Sequence, residues 1–189
     1  MKSKNLLLIL ILVFGLVLVG ASVLYTQLSR EESPDQLAVQ EAKPDAGQTE
    51  TVSYAAPDFT VYNAQGEAVR LSDYFGKPIV LNFWASWCGP CKMEMPDFQE
   101  KYLQLGEEVT FLMVNMTGGR ETQATAQSFL ESQKFTFPVF YDLQGSAATV
   151  YQVYSLPTTY FIDANGDLIA QATGAIDAAT LQKGIDMIR

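Results

Sequence analysis

The sequence predicts an α/β fold, a mixed central sheet with helices on its faces, and three patterns carry that expectation. Short, nearly unbroken apolar runs at 79–84 and 109–115 read as buried strands. Segments of helical period separate the first runs from those that come after. Two stretches of apolar alternation are split by glycine-bearing turns, which marks hairpins. Strands and helices that alternate first and end in a hairpin build a layered sandwich.

The elements run in chain order. In "PDFTVYNAQGEAVRL", Phe59 and Val61 face Val69 and Leu71 across residues 63–66, a hairpin with glycine at its turn. "SDYFGKP" then turns the chain into the strand at 79–84. A helix is expected from Cys88 to about Leu105, with Met95, Phe98, Tyr102 and Leu105 on one face and a kink at Pro96. A strand at 109–115, a loop at Gly118 and Gly119, and a helix around 123–132 come next. Residues 137–141 suit a short strand and 147–151 a short helix. Strands at 158–162 and 168–172 pair around "DANG". Asp177 caps a last helix with Leu181, Ile185 and Ile188 inside.

Ahead of this body, residues 6–25 carry no charge across twenty positions, enough for a helix to cross a ~30 Å hydrocarbon core. Lys2 and Lys4 precede them and acidic residues come after Arg30, so residues 1–5 are expected in the cytoplasm and the rest outside. The competing reading is a signal peptide cleaved after Val19, Gly20 and Ala21; with no cysteine nearby, a lipoprotein anchor is excluded. Residues 26–54 are polar and without an aromatic residue before Tyr54, which reads as a flexible linker to a domain at 55–189. The net charge of −9 is spread along the chain with no basic stripe, which argues against a nucleic-acid partner.

The chain has two cysteines, Cys88 and Cys91, and no histidine. Two thiolates are half of a mononuclear zinc site and nothing nearby completes it, so no metal is expected. A disulfide closing so small a loop would add little stability, because the gain grows with loop length. Thiol–disulfide exchange fits better. A helix beginning at Cys88 turns its free N–H groups and positive end toward that sulfur, which favours the attacking thiolate. Cys91, one turn deeper, is placed to resolve a mixed disulfide. Gly89 lets a partner backbone approach, and Pro90 has no N–H to lose in a first turn. Trp84 and Trp87 flank the pair, with Trp87 the better contact for a substrate. Such a pair needs no cofactor beyond its own disulfide.

"FWASWCGPCK" followed by Pro96 resembles the active-site strand and helix of thioredoxins. The longer "APDFTVYNAQGEAVRLSDYFGKPIVLNFWASWCGPCKMEMP" and the later "SLPTTYFIDANGDLI" are more similar to the TlpA/ResA branch of membrane-anchored extracytoplasmic thioredoxin-like proteins. The resemblance spans about residues 55–189. It implies a thioredoxin-like fold with an N-terminal β-hairpin and a central helical insertion after Asn115. It also implies a cis bond before Pro157, with the Leu156 backbone free to pair with substrate; without it Pro157 is only a turn proline. Thioredoxins carry a buried aspartate where this chain has Asn82, which cannot take a proton. Glu94, three residues past Cys91 on the same helix face, is a solvated surface residue on composition alone. By resemblance it is the glutamate that tunes the cysteines.

The function implied is that of an extracytoplasmic thiol–disulfide oxidoreductase, anchored in a bacterial cytoplasmic membrane through residues 6–25. The Gly-Pro pair between the cysteines matches thioredoxin, whose potential lies at about −270 mV, and so favours reduction of disulfides. The resemblance implies a CcdA/DsbD-type membrane electron donor. It also implies disulfide-bearing envelope proteins as substrates, apocytochrome c among them during cytochrome c maturation. A monomer is expected. The alternatives are an oxidant that forms disulfides during export, a peroxide-reducing enzyme, and a metal- or peptide-binding module without catalysis.

Overall fold

A computed structural model of the chain describes Phe14, residues 37–39 and residues 54–189. The expected span at 6–25 lies outside the described residues apart from Phe14. Among those described, no helix is long and apolar enough to cross a membrane.

Eight strands form one mixed sheet: β1 (Leu37–Val39), β2 (Thr60–Tyr62), β3 (Ala68–Arg70), β4 (Ile79–Trp84), β5 (Thr110–Asn115), β6 (Val139–Tyr141), β7 (Thr158–Ile162) and β8 (Leu168–Thr173). Their order across the sheet is β1-β8-β7-β4-β5-β6-β2-β3. Strands β4, β5 and β6 run parallel, joined by α1 (Gly89–Leu105) and α2 (Gln123–Gln133); the other pairings are antiparallel. A short α3 (Ser146–Val150) and a closing α4 (Ala178–Ile188) complete the set. The fold is thioredoxin-like, with the expected N-terminal hairpin at one edge and α2 as the central helical insertion.

One expectation changes. The stretch 26–54, read as a flexible linker, contains β1, which pairs with β8 and places Leu37 in the core. Leu37 to Val39 is an apolar triplet inside a polar run, and the open edge of β8 supplies the backbone partners that a linker lacks. The compact unit accordingly includes β1.

All six residues of β4 are buried, and they alternate between two cores. Val80 and Trp84 face Cys91, Met95 and Phe98 of α1; Ile79, Leu81 and Phe83 face Phe59, Tyr151 and Tyr160. Each such side chain sealed from water contributes about 1.5–3 kcal/mol. This double burial makes β4 the rigid rail that ends at the cysteines.

Candidate active site

The helix carrying the two cysteines starts as the sequence requires. Cys88 is the N-cap of α1, in extended conformation, and Pro90 occupies the first turn, where its missing N–H has no cost. The Cys91 N–H donates to Cys88 Sγ at 3.2 Å, so the sulfur takes the place of a capping oxygen. The cysteines are joined in a disulfide with their Cα atoms 5.3 Å apart. Cys88 keeps a small exposed surface, 4%, whereas Cys91 has none. Of the two residues, only Cys88 keeps any accessible surface.

Gly89 and Pro90 are exposed beside the disulfide, and Trp87 stands 45% exposed on its other side. Trp84 is fully buried. The Leu156–Pro157 peptide bond is cis, and antiparallel pairing of β7 with β4 brings Thr158 opposite Phe83, next to the strand's exit toward Cys88. Leu156 is half-buried at the junction of the two cores. A groove of about 380 Å³ runs between Trp87 and this loop, lined by Met116, Gly118, Val153, Tyr154 and Leu156.

Beneath the disulfide lies a polar cluster. Glu94 is 1% exposed, not the solvated residue that composition suggests. Its Oε1 accepts from Asn82 Nδ2 at 2.8 Å and its Oε2 from the Ile176 N–H at 3.1 Å. Asn82 also donates to Thr159 Oγ1 at 3.0 Å. Burial pushes the Glu94 carboxyl up to about 7, against the two hydrogen bonds that favour its charged form; nearby Asp97 adds a smaller upward push. A carboxyl poised there can take or give a proton at neutral pH. Glu94 and Cys91 are three residues apart on one face of α1.

The structure adds a residue that sequence reasoning missed. Glu121 is buried at the turn before α2; its Oε1 accepts from the Ser86 N–H and from Asn115 Nδ2, both at 3.1 Å, and its Oε2 from Ser86 Oγ at 2.8 Å. It holds the loop that presents Trp87 and Cys88. Beside it, Arg120 lays its guanidinium 3.9 Å over the Trp87 ring. Nothing in the spacing of residues 118–121 marks this role, because Ser86 lies 35 residues earlier in the chain.

Comparison with known proteins agrees with this geometry. The model of the AhpC/TSA family matches residues 52–171. Thiol-disulfide oxidoreductase ResA of Geobacillus kaustophilus is 37% identical over 139 residues, covering 73% of this chain and 78% of that protein. The thioredoxin-like protein YneN of Bacillus subtilis is 33% identical over 132 residues, 70% of this chain and 77% of its own. Among solved structures, the exposed lipoprotein thioredoxin of Streptococcus pneumoniae superposes with a TM-score of 0.61 at 31% identity, over 69% of this chain and 98% of that one. A Cys-X-X-Cys disulfide at the N-terminus of α1, facing a cis-proline loop, suits the exchange chemistry those names state. The chain belongs to the AhpC/TSA family, among its ResA-type thiol–disulfide oxidoreductases.

Proposed function

We propose that the protein is a membrane-tethered reductase of disulfides outside the bacterial cytoplasmic membrane. The observation that carries this is the asymmetry of the pair: Cys88 is reachable at the helix N-terminus, and Cys91 is sealed above a buried carboxyl that titrates near neutrality.

In the reduced protein the Cys88 thiolate attacks one sulfur of the substrate disulfide. A Cys88–substrate bond forms, and the second substrate sulfur leaves as a thiolate. Cys91 then gives up its proton, with Glu94 as the acceptor that manages it, and attacks Cys88 Sγ. The mixed disulfide breaks, the substrate departs as a dithiol after protonation, and two electrons have passed to it. The Cys88–Cys91 disulfide left behind is the form the structure holds. During the mixed-disulfide stage Trp87, Gly89 and Pro90 contact the substrate, and the Leu156 backbone beside Pro157 pairs with its chain.

No cofactor beyond the disulfide enters this cycle, so electrons must come from a partner protein; a CcdA/DsbD-type membrane thiol carrier has the matching chemistry. Envelope proteins with disulfides are the substrates, apocytochrome c before haem attachment among them. Residues 6–25 supply the single-pass anchor, and the domain works as a monomer.

Equilibrating the protein in thiol/disulfide buffers tests the direction. A potential near or below about −270 mV is expected of a reductase. A value near about −120 mV would make the protein a disulfide-forming oxidant instead.

A further inference from the structure

Arg120 is an exposed side chain held in place from three sides. Its turn is closed by reciprocal backbone bonds, Gly118 N–H to the Glu121 carbonyl at 2.9 Å and Glu121 N–H to the Gly118 carbonyl at 3.0 Å. Gly118 and Gly119 both adopt positive φ there, which lets so tight a turn form. Glu121 ties the turn to Ser86 and Asn115 inside the protein. The guanidinium itself lies 3.9 Å above the Trp87 ring, the residue next to Cys88.

A guanidinium seated over an indole is held there by cation–π attraction and still has N–H donors to offer a carboxylate. Among the described residues Arg120 has no carboxylate partner, so the fork is open to solvent. Such a group has already lost much of its rotamer freedom, which lowers the entropy cost of receiving a ligand. The whole chain carries −9, so a cation fixed at the rim of the reacting disulfide runs against the overall field. Lys92, over the Phe129 ring at 5.5 Å, is a second exposed cation in the first turns of α1. Asp142 also lines the nearby groove, buried, with its Oδ2 accepting the Ala148 N–H.

We propose that the Trp87–Arg120 pair is a docking point for a carboxylate, and that it selects protein substrates with an Asp or Glu beside the cysteine that Cys88 attacks. The carboxylate would take the Arg120 fork in a bidentate pair while its backbone lies along the Leu156 edge. This rests on the exchange cycle proposed for Cys88 and Cys91 and names the substrate feature that the cycle favours.

The test uses the full-length chain in detergent micelles, reduced, with three synthetic peptides. Each has one internal disulfide, and they differ only in Glu, Gln or Lys next to one cysteine. The second-order rate constant for single-turnover reduction of the Glu peptide should exceed that for the Gln peptide by about five- to tenfold at low salt. That ratio should fall to about one in Arg120→Gln and at high salt, where surface charges are screened. In Arg120→Glu the Lys peptide should become the preferred one. A ratio near one in the unaltered protein while exchange proceeds, or a preference that survives in Arg120→Gln, overturns the docking point. Absence of exchange with all three peptides overturns the proposed cycle and this inference with it.

Discussion

Asn82 on β4 donates its side-chain amide to Glu94 on α1 over 2.8 Å, with both residues sealed from solvent. An amide cannot take a proton at working pH, so any proton exchanged in this cluster is carried by the glutamate. Asn82 orients Glu94 and favours its charged form. Burial opposes that and wins, leaving the carboxyl near 7.

That balance gives stability a defined pH dependence. The folded pKa of about 7 lies above the ordinary value of 4.5, so between those values the folded state holds a proton that the unfolded state has released. Stability therefore falls as pH rises through this window, by an amount on the order of 3 kcal/mol when complete. Glu94→Gln removes the titrating group but keeps its shape. In the oxidised protein, where the cysteines do not titrate, the Tm of Glu94→Gln relative to wild type should climb steadily from pH 5 to pH 8. A difference that stays flat across the range would mean that Glu94 is not a buried acid.

Removing Asn82 should act through Glu94. In Asn82→Leu one of the two hydrogen bonds favouring the carboxylate is gone, so its pKa rises above 7. The rate of mixed-disulfide resolution, followed by stopped flow against pH, should shift its rising limb toward alkaline values. Loss of rate by one constant factor at every pH would point to misplacement of α1 rather than to proton transfer.

The difference in exposure between the cysteines separates their roles. Cys91→Ser leaves the reachable nucleophile without its resolver, so mixed disulfides with protein substrates should accumulate and be visible on non-reducing gels. Cys88→Ser should form none and lose insulin reduction, since the remaining thiol is fully buried. Equal trapping by both variants would contradict the assignment of Cys88 as the attacking residue.

Much of this was legible in the sequence, and the reasons are local. Six consecutive apolar or amide positions could be placed as β4 because a strand covered on both faces reads as a continuous run. Asp177 announced α4 because capping needs only the next three residues; its side chain accepts the Thr180 N–H at 2.8 Å. Cys88 and Cys91 declared their chemistry by their spacing, by the lack of any other cysteine or histidine, and by the helix start expected at Cys88. Contacts across the fold could not be seen. β1 forms because β8, far along the chain, offers it an edge, and Leu37 carries no sign of that partner. Glu94 looks like any helical glutamate until Asn82 and Ile176 close around it.

Gly184 shows the same limit and yields a stability prediction. It sits in α4 where a Cβ would come within 2.2 Å of the Phe161 ring, which is fully buried on β7. Alanine favours a helix over glycine by roughly 1 kcal/mol. Here overpacking should win, since forcing a buried ring aside costs about 1–3 kcal/mol and occasionally more. Gly184→Ala should lower the urea midpoint without changing the slope. A raised midpoint would show that α4 can slide away from the sheet at little cost.

Glu121 is the position where stability and the active site meet. Glu121→Ala strands the Asn115 amide, which is fully buried, and frees the Ser86 N–H and hydroxyl. Each buried donor left unpaired costs about 1–3 kcal/mol, so the variant should lose a few kcal/mol of stability. Glu121→Gln keeps one acceptor oxygen and should lose less. Both changes loosen the loop carrying Trp87 and the turn carrying Arg120. Trp84 is sealed in the core, so in a Trp84→Phe background the remaining emission reports Trp87 alone. That emission should move to longer wavelength in Glu121→Ala as the ring loses its guanidinium cover. Disulfide exchange should slow in parallel, because Cys88 comes directly after the loosened loop. If the emission and the exchange rate hold while stability falls, Glu121 anchors the insertion only and the active-site loop is fixed by other contacts.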